Sequence, residues 1–114
     1  MHKSFIPYLQ HILDECNYIT SVITEDVAMY QFLSDETLKR AVTRSLSIIG
    51  EATKKIPADV KSEWRSIAWR QMAGMRDRLV HDYMGVNYMI VWDVAKNVIP
   101  ELIPQINAVI ESHR

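Results

Sequence analysis

Residues 36–57 read ETLKRAVTRSLSIIGEATKKIP. Leu38, Val42, Ser45, Ile49, Ala52 and Ile56 recur at alternating steps of four and three. That period puts them on one side of an α-helix and gives it a seam for packing in a bundle. Ser34, Asp35 and Glu36 form its start signal, and Pro57 stops it. Working outward, a first helix is expected from Ser4 to about Ile23. Leu9, Ile12, Leu13, Cys16, Ile19 and Ile23 share a face, Ser4 can cap, and Pro7 is tolerable in the first turn. Thr24 with Glu25 and Asp26 reads as a new N-terminus, giving a short helix through about Phe32. Residues 57–64 read as a loop or a single turn. A third helix is expected from about Glu63 to Met84, with Trp64, Ala68, Met72, Met75 and Leu79 as its apolar face. Gly85 would end it in the left-handed conformation. A fourth starts near Asn87 and carries a broad apolar stripe, with Pro100 and Pro104 kinking or splitting it.

Three glycines and four prolines in 114 residues are too few turn residues for an all-β chain. The expected fold class is all-α: one domain over residues 1–114, a bundle of four main helices plus a short one. A composition 48% hydrophobic and 24% charged is that of a globular protein. No apolar run approaches the ~20 residues of a membrane span, and Met1-His2-Lys3-Ser4 leads into no signal-peptide block. The single Cys16 excludes an internal disulfide and a multi-cysteine metal site. A cytoplasmic protein is the expectation. The net charge of −1 is unevenly spread: −5 over residues 1–36, +6 over 37–78 and −2 over 79–114. The basic centre is either a solvated helix face or a face for an anionic partner.

The stretch 76–83, RDRLVHDY, carries the chemistry. On a continuous helix Asp77 and His81 share a face, so the carboxylate can fix the imidazole tautomer and leave the other nitrogen for proton transfer. Equally, Asp77–His81 and Arg78–Asp82 are ordinary opposite-charge pairs four residues apart, each worth about 0.2–0.5 kcal/mol. Arg76 and His81, five apart, would point about 140° from one another on an ideal helix. A distorted helix end, or two copies of the helix across a symmetric dimer, would bring them together.

Arg76, His81 and Tyr83 in this spacing resemble the Arg-x4-His-x-Tyr signature of HEPN-domain proteins of the HepT-like class. FLSDETLKRAV at 32–42, IIGEATKKIP at 48–57, WRSIAWRQMAGMRDRLVHDYMGVN at 64–87 and VWDVAKNVIPELIPQI at 91–106 are similar to that family's stretches in order and spacing. The resemblance implies a homodimeric HEPN bundle acting as a metal-independent endoribonuclease toxin, without a cofactor. It implies Arg76 and His81 as catalytic residues. It also implies an MntA-like minimal nucleotidyltransferase antitoxin as partner, which silences the toxin by attaching AMP to Tyr83. Asp77 stands where the family often has Asn, and a carboxylate there repels RNA unless paired with His81 or Arg78. The alternative is a catalytically weak HEPN module that docks a nucleotidyltransferase or a nucleic acid.

Arg65, Arg70 and Arg78 extend the basic character and either hold RNA phosphates or face solvent. Glu51 either braces Arg76 or is a boundary residue. Trp64, Trp69 and Trp92 are expected in the core or a dimer contact, and Cys16 in the core. His2, His11 and His113 have no ligand spacing, so no metal is expected.

Overall fold

The computed structural model describes residues 4–81 and 85–114, with positions 80 and 81 described by their backbone. The seam of residues 38–56 becomes α3 (Glu36–Thr53), and the Asp35 side chain caps it by accepting from the Leu38 N–H at 3.0 Å. Val42, Ser45, Ile49, Ala52 and Ile56 are buried as the period requires, and Leu38 is half-buried. α1 (Ile6–Val22) lies against α3 and buries Leu9, Ile12, Leu13, Cys16 and Ile19. Phe5, not Ser4, holds the N-cap position, with Pro7 in the first turn where its missing N–H costs nothing. Burial pushes the Cys16 thiol up to about 12, with a smaller contribution from the Glu15 charge.

Three expectations need correction. Thr24–Asp26 does not start a helix. It forms a turn closed by the Val27 N–H on the Thr24 carbonyl, and α2 (Met29–Ser34) begins where the Gln31 side chain accepts from the Ala28 N–H at 2.7 Å. Of the kink or split expected at Pro100 and Pro104, the helix shows no break, only a local distortion before Pro100. α7 (Tyr88–Asp93) widens into a π-turn (Val94–Val98) and continues as α8 (Ile99–Ser112), with Pro104 inside it. Pro100 removes one backbone donor and crowds the turn before it, and the wider turn accommodates that. The Lys96 ammonium fastens this segment to the Thr24 carbonyl at 3.1 Å.

The third correction concerns the motif. The stretch 57–64, read as a loop or a single turn, holds the short α4 (Ala58–Glu63), and the helix expected over 63–84 is broken into α5 (Trp69–Ala73) and α6 (Met75–Leu79). The Trp69 indole N–H donates to the Trp64 carbonyl at 3.0 Å, locking the turn between α4 and α5. Ala68 is therefore exposed and Trp64 half-buried, while Met72, Met75 and Leu79 keep their inward positions. After Leu79 the chain becomes extended. Val80–His81 (β1) pairs antiparallel with Gly85–Val86 (β2), Val80 opposite Val86 and His81 opposite Gly85. Gly85 does adopt positive φ, +79°, but inside this ribbon rather than at a helix end. The Asn87 N–H donates to the Leu79 carbonyl at 2.8 Å, and the Asn87 side chain then caps α7 through the Met89 and Ile90 N–H groups. Asn87 thus ties the end of α6 to the start of α7.

Gly50 sets the height of the motif above α3. A Cβ built on it would lie 3.2 Å from the Met72 carbonyl oxygen and 3.6 Å from the Met75 Cβ. A side chain there would press on the α5–α6 junction, so the glycine lets it settle this closely on α3, and Arg76 follows directly.

Candidate active site

Met75 and Leu79 are buried, so the outward side chains of α6 are Arg76, Asp77 and Arg78. Arg76 reaches a cleft of about 550 Å3 between α1, α3 and α6. Tyr8 and His11, one turn apart, come from α1, Arg44 and Glu51 come from α3, and Lys55 comes from the turn that follows it. Arg44 and Glu51 lie seven apart on α3, on a polar face next to the buried seam. Three cations face one carboxylate. Among the described residues, Arg44, Lys55 and Arg76 form no ion pair, whereas Glu51 lies 3.4 Å from Lys54.

The structure brings Glu51 and Arg76 to the same cleft, and the Glu51 carboxylate pairs with Lys54 rather than with the arginine. It does not bring Arg70 or Arg78 there. Arg70 and Arg65 share a shallow surface with Lys61, and Arg78 lines a smaller cleft against α8 with Glu101. His81 sits one residue into β1, two beyond the end of α6. The 140° separation expected for a continuous helix therefore does not apply to Arg76 and His81, and Asp77–His81 is not a pair on one helical face. Asp82 and Tyr83, and so the expected Arg78–Asp82 pair and the modification site, lie outside the described residues. Among the described residues no three His, Cys, Asp or Glu side chains gather as a metal site. No described helix is long and apolar enough to cross a membrane.

Sequence reasoning missed Arg44, Lys55, His11 and Tyr8. The signal was present in the period of Arg44, Ile48, Glu51 and Lys55, which runs parallel to the hydrophobic seam.

An all-α domain with an exposed arginine on a cationic cleft, and a histidine five residues on where the helix has given way to extended chain, defines a class of protein built to handle phosphodiesters. The family described as Ribonuclease HepT-like matches residues 10–109. A protein of Caldanaerobacter subterraneus subsp. tengcongensis named "Putative RNase TTE0752" is 40% identical over 108 residues, 95% of this chain and 96% of its own. "Putative RNase MJ0125" of Methanocaldococcus jannaschii is 39% identical, covering 88% of both chains. "Probable ribonuclease HepT" of Thermococcus cleftensis is 41% identical, covering 90% of this chain and 92% of its own. No solved structure matches the chain. The chain belongs to the HepT-like ribonuclease family.

Proposed function

We propose that this protein is the toxin of a toxin–antitoxin pair, a homodimeric endoribonuclease that cleaves RNA without a metal ion. The observation that carries the reading is the placement of Arg76, exposed on a cationic cleft whose Arg44, Lys55 and Arg76 form no ion pair among the described residues, five residues before His81. Cleavage needs a base for the 2′-hydroxyl, positive charge on the developing phosphorane and an acid for the 5′-oxygen. The Arg76 guanidinium is always charged and its fork matches two phosphate oxygens. One His81 imidazole takes the 2′-hydroxyl proton. The 2′-oxygen attacks phosphorus, the bond to the 5′-oxygen breaks, and a second imidazolium protonates the leaving oxygen. Two His81 copies across a dimer axis divide these roles. The products are a 2′,3′-cyclic phosphate and a 5′-hydroxyl.

Silencing by an MntA-like nucleotidyltransferase completes the reading. The Tyr83 hydroxyl attacks the α-phosphorus of a nucleoside triphosphate, an O–P bond forms, pyrophosphate leaves and the proton passes to solvent. AMP two residues from His81 adds bulk and negative charge beside the phosphate position. Co-expression with the cognate transferase is expected to add the mass of one AMP to the wild type and none to Tyr83→Phe.

The test of the nuclease is incubation of the purified chain with RNA in excess EDTA. Cleavage with cyclic-phosphate ends is expected. Loss of cleavage in EDTA would sink the metal-free mechanism, and intact RNA under all conditions would favour a docking module.

A further inference from the structure

The cleft holds more positive charge than one phosphate requires, and the excess comes from α3 and the turn after it rather than from the motif. Resting on the reading above, we infer that a single RNA strand lies along the α1–α3 cleft, with Arg44 and Lys55 binding its phosphates on either side of the one held by Arg76. The axial order follows from the packing. The α5–α6 junction sits on Gly50, with the Met75 Cβ 3.6 Å from a Cβ at that position, so Arg76 enters the cleft at the level of Gly50 and Glu51. At ~1.5 Å per residue, Arg44 stands about 9 Å along α3 on one side of Gly50, and Lys55, in the turn two residues past the end of the helix, lies on the other side. Both side chains are long enough to reach neighbouring phosphates of a strand centred on Arg76.

Charge and accessibility agree. Arg44, Lys55 and Arg76 are exposed, and among the described residues none is neutralised by a carboxylate. Among the described residues, the one acid lining the cleft, Glu51, has Lys54 beside it. The acidic side chains of α1, Asp14 and Glu15, do not line the cleft; Tyr8 and His11 do. Contacts of this kind read the backbone and not the bases, so they position any sequence over the motif. Arg44 and Lys55 are thus positioning residues, separate from Arg65, Arg70 and Arg78, which the fold turns toward other surfaces.

The experiment measures binding and cleavage separately. In the full-length His81→Ala protein, which keeps RNA intact, anisotropy of a labelled single-stranded RNA oligonucleotide gives Kd across about 50–200 mM salt. Arg44→Ala and Lys55→Ala are each expected to weaken binding roughly five- to tenfold at the low-salt end and to flatten the log–log salt slope by about 0.7, the share of one phosphate contact on a single strand. Lys55→Arg is expected to restore the slope. Arg114→Ala, which removes a cation outside the cleft, is expected to bind as the parent does. Unchanged circular dichroism shows that the variants fold. If both cleft variants keep the parental affinity and slope while the His81-containing protein cleaves RNA, this inference fails and the nuclease reading stands. If the slope responds as expected but the wild type cleaves nothing, the RNA track stands and the nuclease reading fails. No binding by the parent overturns both.

Discussion

Replacing Gly50 by alanine tests the link between packing and site most finely, because two opposing terms can be set against each other. The added Cβ would meet the Met72 carbonyl oxygen at 3.2 Å, about 0.2 Å inside the 3.4 Å at which ordinary contact begins. A methyl forced into a packed junction costs ~1–3 kcal/mol. Against it, alanine in a helix interior gains up to ~1 kcal/mol over glycine. The net expectation is a loss of about 1 kcal/mol, read as a fall in Tm of roughly 4 °C in a domain of this size. Activity should fall further than stability. Relief of the clash pushes the α5–α6 junction away from α3 and carries Arg76 with it, and a misplacement of ~1 Å in a reacting group can cost on the order of 100-fold. A shift of a few tenths of an ångström is therefore expected to lower kcat/KM several-fold, with the two effects measured by thermal melting and by cleavage of a fluorogenic RNA. Gly50→Leu should exaggerate both. A Gly50→Ala protein that is more stable by the full helix-propensity gain and cleaves like wild type would show that the junction does not rest on Gly50.

Three further outcomes follow from the same contacts. Asn87→Ala removes both side-chain acceptor bonds at the start of α7 and should cost about 1 kcal/mol by urea titration, while the backbone bond to Leu79 survives; an unchanged midpoint would contradict the cap. Cys16 should resist iodoacetamide at pH 8 in the folded protein and react once it is denatured, since its thiol is pushed up to about 12; prompt alkylation of the native chain would refute its burial. Glu36 is held below the ordinary carboxylate range, first by the hydrogen bond from Lys39 and then by that ammonium's charge. A depressed carboxylate stabilises the fold above its unfolded pKa and loses that contribution as pH falls through the folded value. The stability difference between wild type and Glu36→Gln should accordingly be present at neutral pH and vanish in acid, and a difference that grows in acid would reverse the sign.

The sequence period was sufficient for α1 and α3 because a single strong amphipathic pattern governs each of them. Asn87 as a helix start was legible because capping is local chemistry carried by one side chain. The break-up of residues 58–79 was not, since no proline interrupts it and its causes are tertiary: Trp69 reaching back to Trp64, and the α5–α6 junction seated on Gly50. Gly85 shows the limit of reading one residue. A positive φ was foreseen, but the same φ serves a helix end and a two-residue ribbon. At the site, Arg76 was legible and Glu51 was open between a brace for it and a boundary residue, yet the cationic cleft was not legible. Charge counted along the chain lumps Arg44 and Lys55 with Arg70 and Arg78, whereas charge counted around the helix separates them.

The claim at the centre is that the Arg76 guanidinium and the His81 imidazoles of a dimer act together on a single phosphodiester. Single-turnover cleavage by wild type, Arg76→Ala, His81→Ala and the double variant tests it directly. Each single change is expected to slow cleavage on the order of 100- to 10,000-fold. The double variant should be no slower than the worse single one, as groups that work as a unit behave. Losses that multiply, or a single variant as fast as wild type, would contradict a shared site.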